Sequence, residues 1–331
     1  MKVRISTLVI LLLLLGITLS GVKEFSAWPQ VVDLWLQRAT PATLTGHPHL
    51  FRYMVAYPGL MLERDYPGLG FSLYCCLFML LNASVWSAIV RKTHQVSPSY
   101  LIWGLFFLVH MFMNGRGVIA WSAWLLGVSL CIDMSRAQVP IKWPVLRGAV
   151  ACFLGTVSTG VFVIVLFAIF LFFLERWKAG GVKLRNFSGL VALILLMLCG
   201  YVFLSYFIVA IEKNLDFYGG GIQGLMLMLK HGMGKIFFAG GGLGLILLLL
   251  ALPIGALGAL IFFFGPRIRP VRKLLIISMA GGLFGFTVLT LAIPLLLCEA
   301  GSAMRRVLRF LGLRRQPVAP VVGARGLNVT D

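Results

Sequence analysis

Arg116 is the residue whose placement first suggests chemistry. It lies in Asn114-Gly115-Arg116-Gly117, between the apolar runs Tyr100 to Met113 and Val118 to Ile132. A cation in apolar surroundings costs about 2.5–3.5 kcal/mol on insertion scales, so it usually marks a function. A guanidinium there can grip a phosphate or pyrophosphate through two parallel hydrogen bonds. The plainer use is an interfacial arginine whose head reaches lipid head groups. Asn114, two residues away, joins Arg116 as a candidate substrate contact, and His110 stands one helical turn before Asn114.

The polar stretch from Val22 to Gly68 holds His47-Pro48-His49, Arg52 and Glu63-Arg64-Asp65. Glu63 or Asp65 could act as general base on a hydroxyl, and Arg52 could stabilise a departing phosphate. The competing use is a solvated charged loop. The two histidines have no third ligand nearby, so no metal site is expected. A second polar stretch, Glu212 to Lys235, offers His231 as an acid or base; an ordinary surface histidine fits its pattern equally well. Gly219 to Gly224 formally matches GxGxxG, but that motif needs a strand before it in a βαβ unit. The stretch reads instead as a short interfacial helix over Ile222 to Leu229. The six cysteines show no CxxC and no Cys/His spacing, so they read as small apolar packing residues. There is no Walker A motif, HExxH, GxSxG or DxD-like signature, and no cofactor or metal is expected.

The elements that must position these residues are hydrophobic helices. The chain of 331 residues is 60% hydrophobic and 12% charged, and its mean hydropathy is +0.97. A soluble domain carries about 25% charged residues. This composition predicts an all-α, polytopic integral membrane bundle with about 8–10 membrane segments, including one or two re-entrant or broken hairpins. Twenty-nine Lys and Arg stand against ten Asp and Glu. They fall in short clusters between apolar runs, which suits retention on the cytoplasmic side and argues against nucleic-acid binding. Residues 22–68 carry four bases and four acids, the pattern of an external loop, with Trp28, Trp35 and Tyr53 expected at the interface.

Gly148 to Leu174 is flanked by bases on both sides: Arg136, Lys142 and Arg147 before it, Arg176, Lys178, Lys183 and Arg185 after it. A single crossing would export one of these clusters. The small, hydroxylated centre, Gly155 to Gly160, suits a bend between two half-helices, so a re-entrant hairpin is favoured. Leu274 to Leu297 poses the same choice, which stays open. The first apolar run, Ile5 to Gly21, reads as a helix in preference to a cleaved signal peptide, and both options leave the N-terminus cytoplasmic. Residues 1–315 form one membrane domain with external loops at about 22–68 and 212–235, and 316–331 form a flexible cytoplasmic tail.

The order of these features resembles the Wzy/EpsG-like family of bacterial polysaccharide polymerases over roughly Phe71 to Arg185. An arginine begins a helix after an outer turn (Asn114 to Trp121), a basic inner loop follows, and then a short hairpin with a small polar tip, Val157-Ser158-Thr159-Gly160. Family members carry a His-Ser pair at that tip, where this chain has Val157-Ser158. The resemblance implies a glycosyltransferase of the bacterial inner membrane, which joins oligosaccharide units carried on undecaprenyl pyrophosphate at the periplasmic face. Arg52, Arg116, Asn114 and Ser158 would then contact substrate, and Glu63, Asp65 or His231 would supply the base. The implied partners are the bilayer, the lipid-linked glycan and envelope-assembly proteins. A transporter or flippase, or a non-catalytic membrane subunit of an export complex, are the competing readings.

Overall fold

The structure is a computed structural model that describes residues 24–45, 47, 49–94, 113–133, 142–179 and 219–232, with isolated positions elsewhere. The expectations for the first apolar run, for Leu274 to Leu297 and for the tail at 316–331 fall outside the described residues, apart from isolated positions such as Leu274. Every element among the described residues is helical. In chain order they are α1 (Pro29–Leu36), α2 (Leu50–Asp65), α3 (Gly70–His94), α4 (Gly115–Asp133), α5 (Lys142–Gly155), α6 (Thr159–Ala179) and α7 (Gly221–Gly232). Two of them, α3 and α4, are long and apolar enough to cross a membrane by length and composition.

Helix α4 is the axis of the bundle. Its sequence is apolar all round, as a helix surrounded by other elements must be, and all its residues except Arg116 and Gly117 are buried. It packs against α3, α5 and α6. Small residues let the helices close on one another: Gly127 faces Val165 and Ala168 of α6, and Gly148 of α5 faces Leu130 and Ile169.

The stretch from Lys142 to Ala179 is a helical hairpin, with α5 and α6 joined by Thr156, Val157 and Ser158. The bend therefore falls in the small polar segment. Helix α5 has 14 residues and α6 has 21, about 21 and 31 Å long. The pairings of Gly148 with Ile169 and of Gly155 with Phe162 make the two helices antiparallel.

The polar stretch before α3 is more ordered than a balanced charge count suggests. Helices α1 and α2 fold onto the bundle, and Phe25, Val31, Tyr53, Val55 and Ala56 join the common core. Trp28 is 5% exposed and Tyr53 fully buried, so neither rests at an interface as expected. The Tyr53 hydroxyl donates to Ala39 O at 2.7 Å, and burial raises its pKa above the ordinary phenol value, with Tyr57 adding to the shift. Helices α2 and α3 lie against each other in a tight turn. A Cβ at Gly70 would run into the Leu62 backbone, so only glycine fits this crossing.

The second polar stretch contains the expected short helix. Helix α7 begins at the last of three glycines with positive φ, Gly219 to Gly221. It exposes Ile222, Leu225, Met226 and Leu227.

Candidate functional site

The loop between α5 and α6 has two peptide carbonyls in succession that face arginines from other elements. Arg52, in the first turn of α2, donates from Nε to Thr156 O at 3.2 Å. Arg116, in the first turn of α4, donates from Nε to Val157 O at 2.7 Å. Adjacent carbonyls thus bring two guanidiniums together, close enough to repel each other. Among the described residues no carboxylate pairs with Arg116.

The backbone adds to this positive potential. Helices α4 and α6 both begin here, and each N-terminus carries about half a positive charge. Asn114 caps α4, its Oδ1 accepting from Gly117 N at 2.8 Å. Ser158 precedes α6 and is 8% exposed; its carbonyl accepts from Phe162 N at 2.9 Å. A cation in the first turn of a helix opposes the dipole, so Arg116 sits where its own helix disfavours it. An anion at this tip would offset the helix ends and both guanidiniums together.

The structure therefore brings Arg52, Arg116 and Ser158 to one place, with Asn114 setting the start of the helix that carries Arg116. The base candidates lie apart. Glu63 and Asp65 stand at the opposite end of α2 from Arg52, about 16–20 Å along its axis. The Glu63 carboxylate accepts from Gly68 N at 2.6 Å and from Phe71 N at 2.8 Å, which ties the turn before α3. Asp65 pairs with its exposed neighbour Arg64. His231 lies on α7, but its side chain is outside the described residues. His47 and His49 stack edge to face, and among the described residues no cluster of three metal-ligating side chains occurs.

Two polar groupings inside the bundle were not singled out by spacing. In the first, the Asn82 amide of α3 donates to His110 Nε2 at 3.2 Å and to Val118 O at 3.1 Å. Ser122 donates to Asn82 Oδ1 at 2.6 Å. His110 Nδ1 is left to donate to Phe106 O at 2.9 Å, which assigns a neutral tautomer with both nitrogens engaged. Trp86, Trp103, Phe106 and Trp121 form an aromatic layer at this level. His110 is thus a structural partner and not a substrate group. In the second, Asp133 meets Lys92 of α3 at 2.9 Å and Arg147 of α5, the latter as a close ion pair without an aligned hydrogen bond. A signal for it existed: Asp133 is the sole acid between Asp65 and Glu175.

Comparisons with protein-family models, with curated proteins and with solved structures find no match for this chain.

Proposed function

We propose that the chain is a multi-pass protein of the bacterial inner membrane that joins oligosaccharide units carried on undecaprenyl pyrophosphate at the periplasmic face. One observation carries the proposal. Arg52 and Arg116 converge on the carbonyls of residues 156 and 157, at a tip where two helices begin. A pyrophosphate held there would be neutralised as it departs, while a sugar hydroxyl of the acceptor attacks the anomeric carbon and gives its proton to a base. The large exposed apolar side chains of α5 and of positions 194–209 support the membrane setting.

A second reading has its own support. Glu63 holds the α2–α3 turn and Asp65 is paired with Arg64, so neither carboxylate stands beside the arginines. A carrier-binding protein that moves or hands on the lipid-linked unit needs the arginines but no base. Arg116→Ala tests both readings in cells, once membrane insertion is verified. The polymerase predicts surface glycans cut to single repeat units. A transporter predicts that no units reach the outer face. Long chains of normal distribution would remove Arg116 from the site and defeat the polymerase reading.

A further inference from the structure

A cavity of about 450 Å³ lies where the segment before α1, the helices α1 and α2 and the start of α3 meet. This is the size of a small-molecule site. Phe25, Trp35, Leu60 and Phe71 give it aromatic and apolar walls. Glu24, Ser26, Glu63 and Arg64 bring polar groups to the same space. Most of the charge is answered locally. Arg64 is paired with Asp65. Glu63 accepts from Gly68 N and from Phe71 N in the first turn of α3, so its charge faces the positive end of that helix. Each of its two oxygens keeps a further acceptor direction. Glu24, exposed at the edge, has no ion pair among the described residues. The cavity borders the arginine tip. Gly115 meets the Phe71 ring and the Ser26 carbonyl, and Arg116, next in the chain, reaches the hairpin tip. The first turn of α4 thus separates the two.

We propose that this cavity seats one uncharged sugar ring of the glycan. An anion would meet two carboxylates there, and a cation would have Glu24 alone to answer it. A lipid tail would leave the polar groups without partners. A sugar ring uses both kinds of wall. One face rests on the aromatic side chains, while its hydroxyls donate to Glu63, whose carboxylate is already held in place by two backbone N–H groups. Glu63 is then a binding group and not the base. Along α2 the cavity lies about 16 Å from Arg52, so the sugar it holds is not the one that reacts. The inference rests on the glycan reading above and extends it from the pyrophosphate of the carrier to the saccharide.

The test is saturation-transfer NMR on the purified full chain in detergent, with glucose, galactose, N-acetylglucosamine and glucosamine as probes and the open-chain polyol sorbitol as control. At least one uncharged pyranose should be saturated, most strongly along one face of its ring, and sorbitol should not. Ser26→Trp, at an exposed position in the wall, should abolish the signal; Glu24→Trp blocks the same space should that chain fail to fold. Glu24→Gln should leave the signal unchanged. Saturation of none of the sugars, equal saturation of sorbitol, or a signal that survives both tryptophan variants would overturn the proposal. So would a preference for glucosamine over glucose that Glu24→Gln abolishes, the mark of a cation site. Arg52→Gln/Arg116→Gln should bind the free sugars as the wild type does, because the tip is a separate site. Binding of undecaprenyl pyrophosphate without binding of any free sugar would defeat the cavity and leave the tip standing.

Discussion

Asn82 uses both amide hydrogens and accepts on its carbonyl inside a fully buried layer, reaching His110, Val118 and Ser122 at once. Truncation would strand His110 Nε2 without water, whereas Ser122 Oγ still donates to Val118 O, and a buried orphan costs about 1–3 kcal/mol. Asn82→Ala should therefore lower unfolding stability in detergent by about 1–3 kcal/mol. A double-mutant cycle with Ser122→Ala should show coupling, since the two share one bond; additive effects would mean that the network is not formed. Asp133 presents the same logic with charge. Its side chain is 2% exposed between Lys92 and Arg147. Asp133→Asn leaves two cations facing each other without a counter-ion, and breaking a buried pair costs about 3–5 kcal/mol. Thermal unfolding of that variant in detergent should show the loss. Restoration by Asp133→Glu, which keeps the charge, would separate electrostatics from packing.

Elements explain why some of this was readable and some was not. The α5–α6 hairpin was legible because two basic flanks and a small hydroxylated centre point to the same bend, and the bend falls at Thr156 to Ser158. The start of α4 was legible as well, although as a turn of four residues; Asn114 instead caps a helix that already includes Arg116. Asn114→Ala should cost about 1 kcal/mol, measured by the same unfolding assay. The two helices within residues 22–68 were not legible, because charge count hides amphipathicity. Their acids stand outside the stripe of Val31, Leu34, Tyr53, Val55, Ala56 and Leu60 that closes on the core. The arginine pair was not legible as a pair. Arg52 and Arg116 are far apart in sequence, and only the hairpin tip gives them a common target. The crossing of α2 and α3 yields a further prediction. Gly70→Ala would drive a methyl group into the Leu62 backbone, and overpacking of this kind costs about 1–3 kcal/mol or more. Limited proteolysis should then cleave the 66–69 turn faster than in the wild type.

At the scale of the molecule, the two ends differ in charge. One end holds Lys92, Arg147 and the start of α5; the other holds the hairpin tip, Arg116 and the turn before α3. In a bilayer the first would face the cytoplasm and the tip would face out. A reporter fused after Val182 should then read as cytoplasmic, and one placed in the 40–46 segment as external. The proposed function needs that orientation, because both arginines must meet a lipid carrier on the outer face. The most direct measurement is binding of undecaprenyl pyrophosphate to the purified full chain in detergent, compared with undecaprenol and repeated with Arg52→Gln/Arg116→Gln. The account predicts that the wild type binds the pyrophosphate far more tightly than the alcohol, and that the double variant, still folded, loses that difference. Equal binding of the two lipids by the wild type, or an unchanged preference in the double variant, would contradict it.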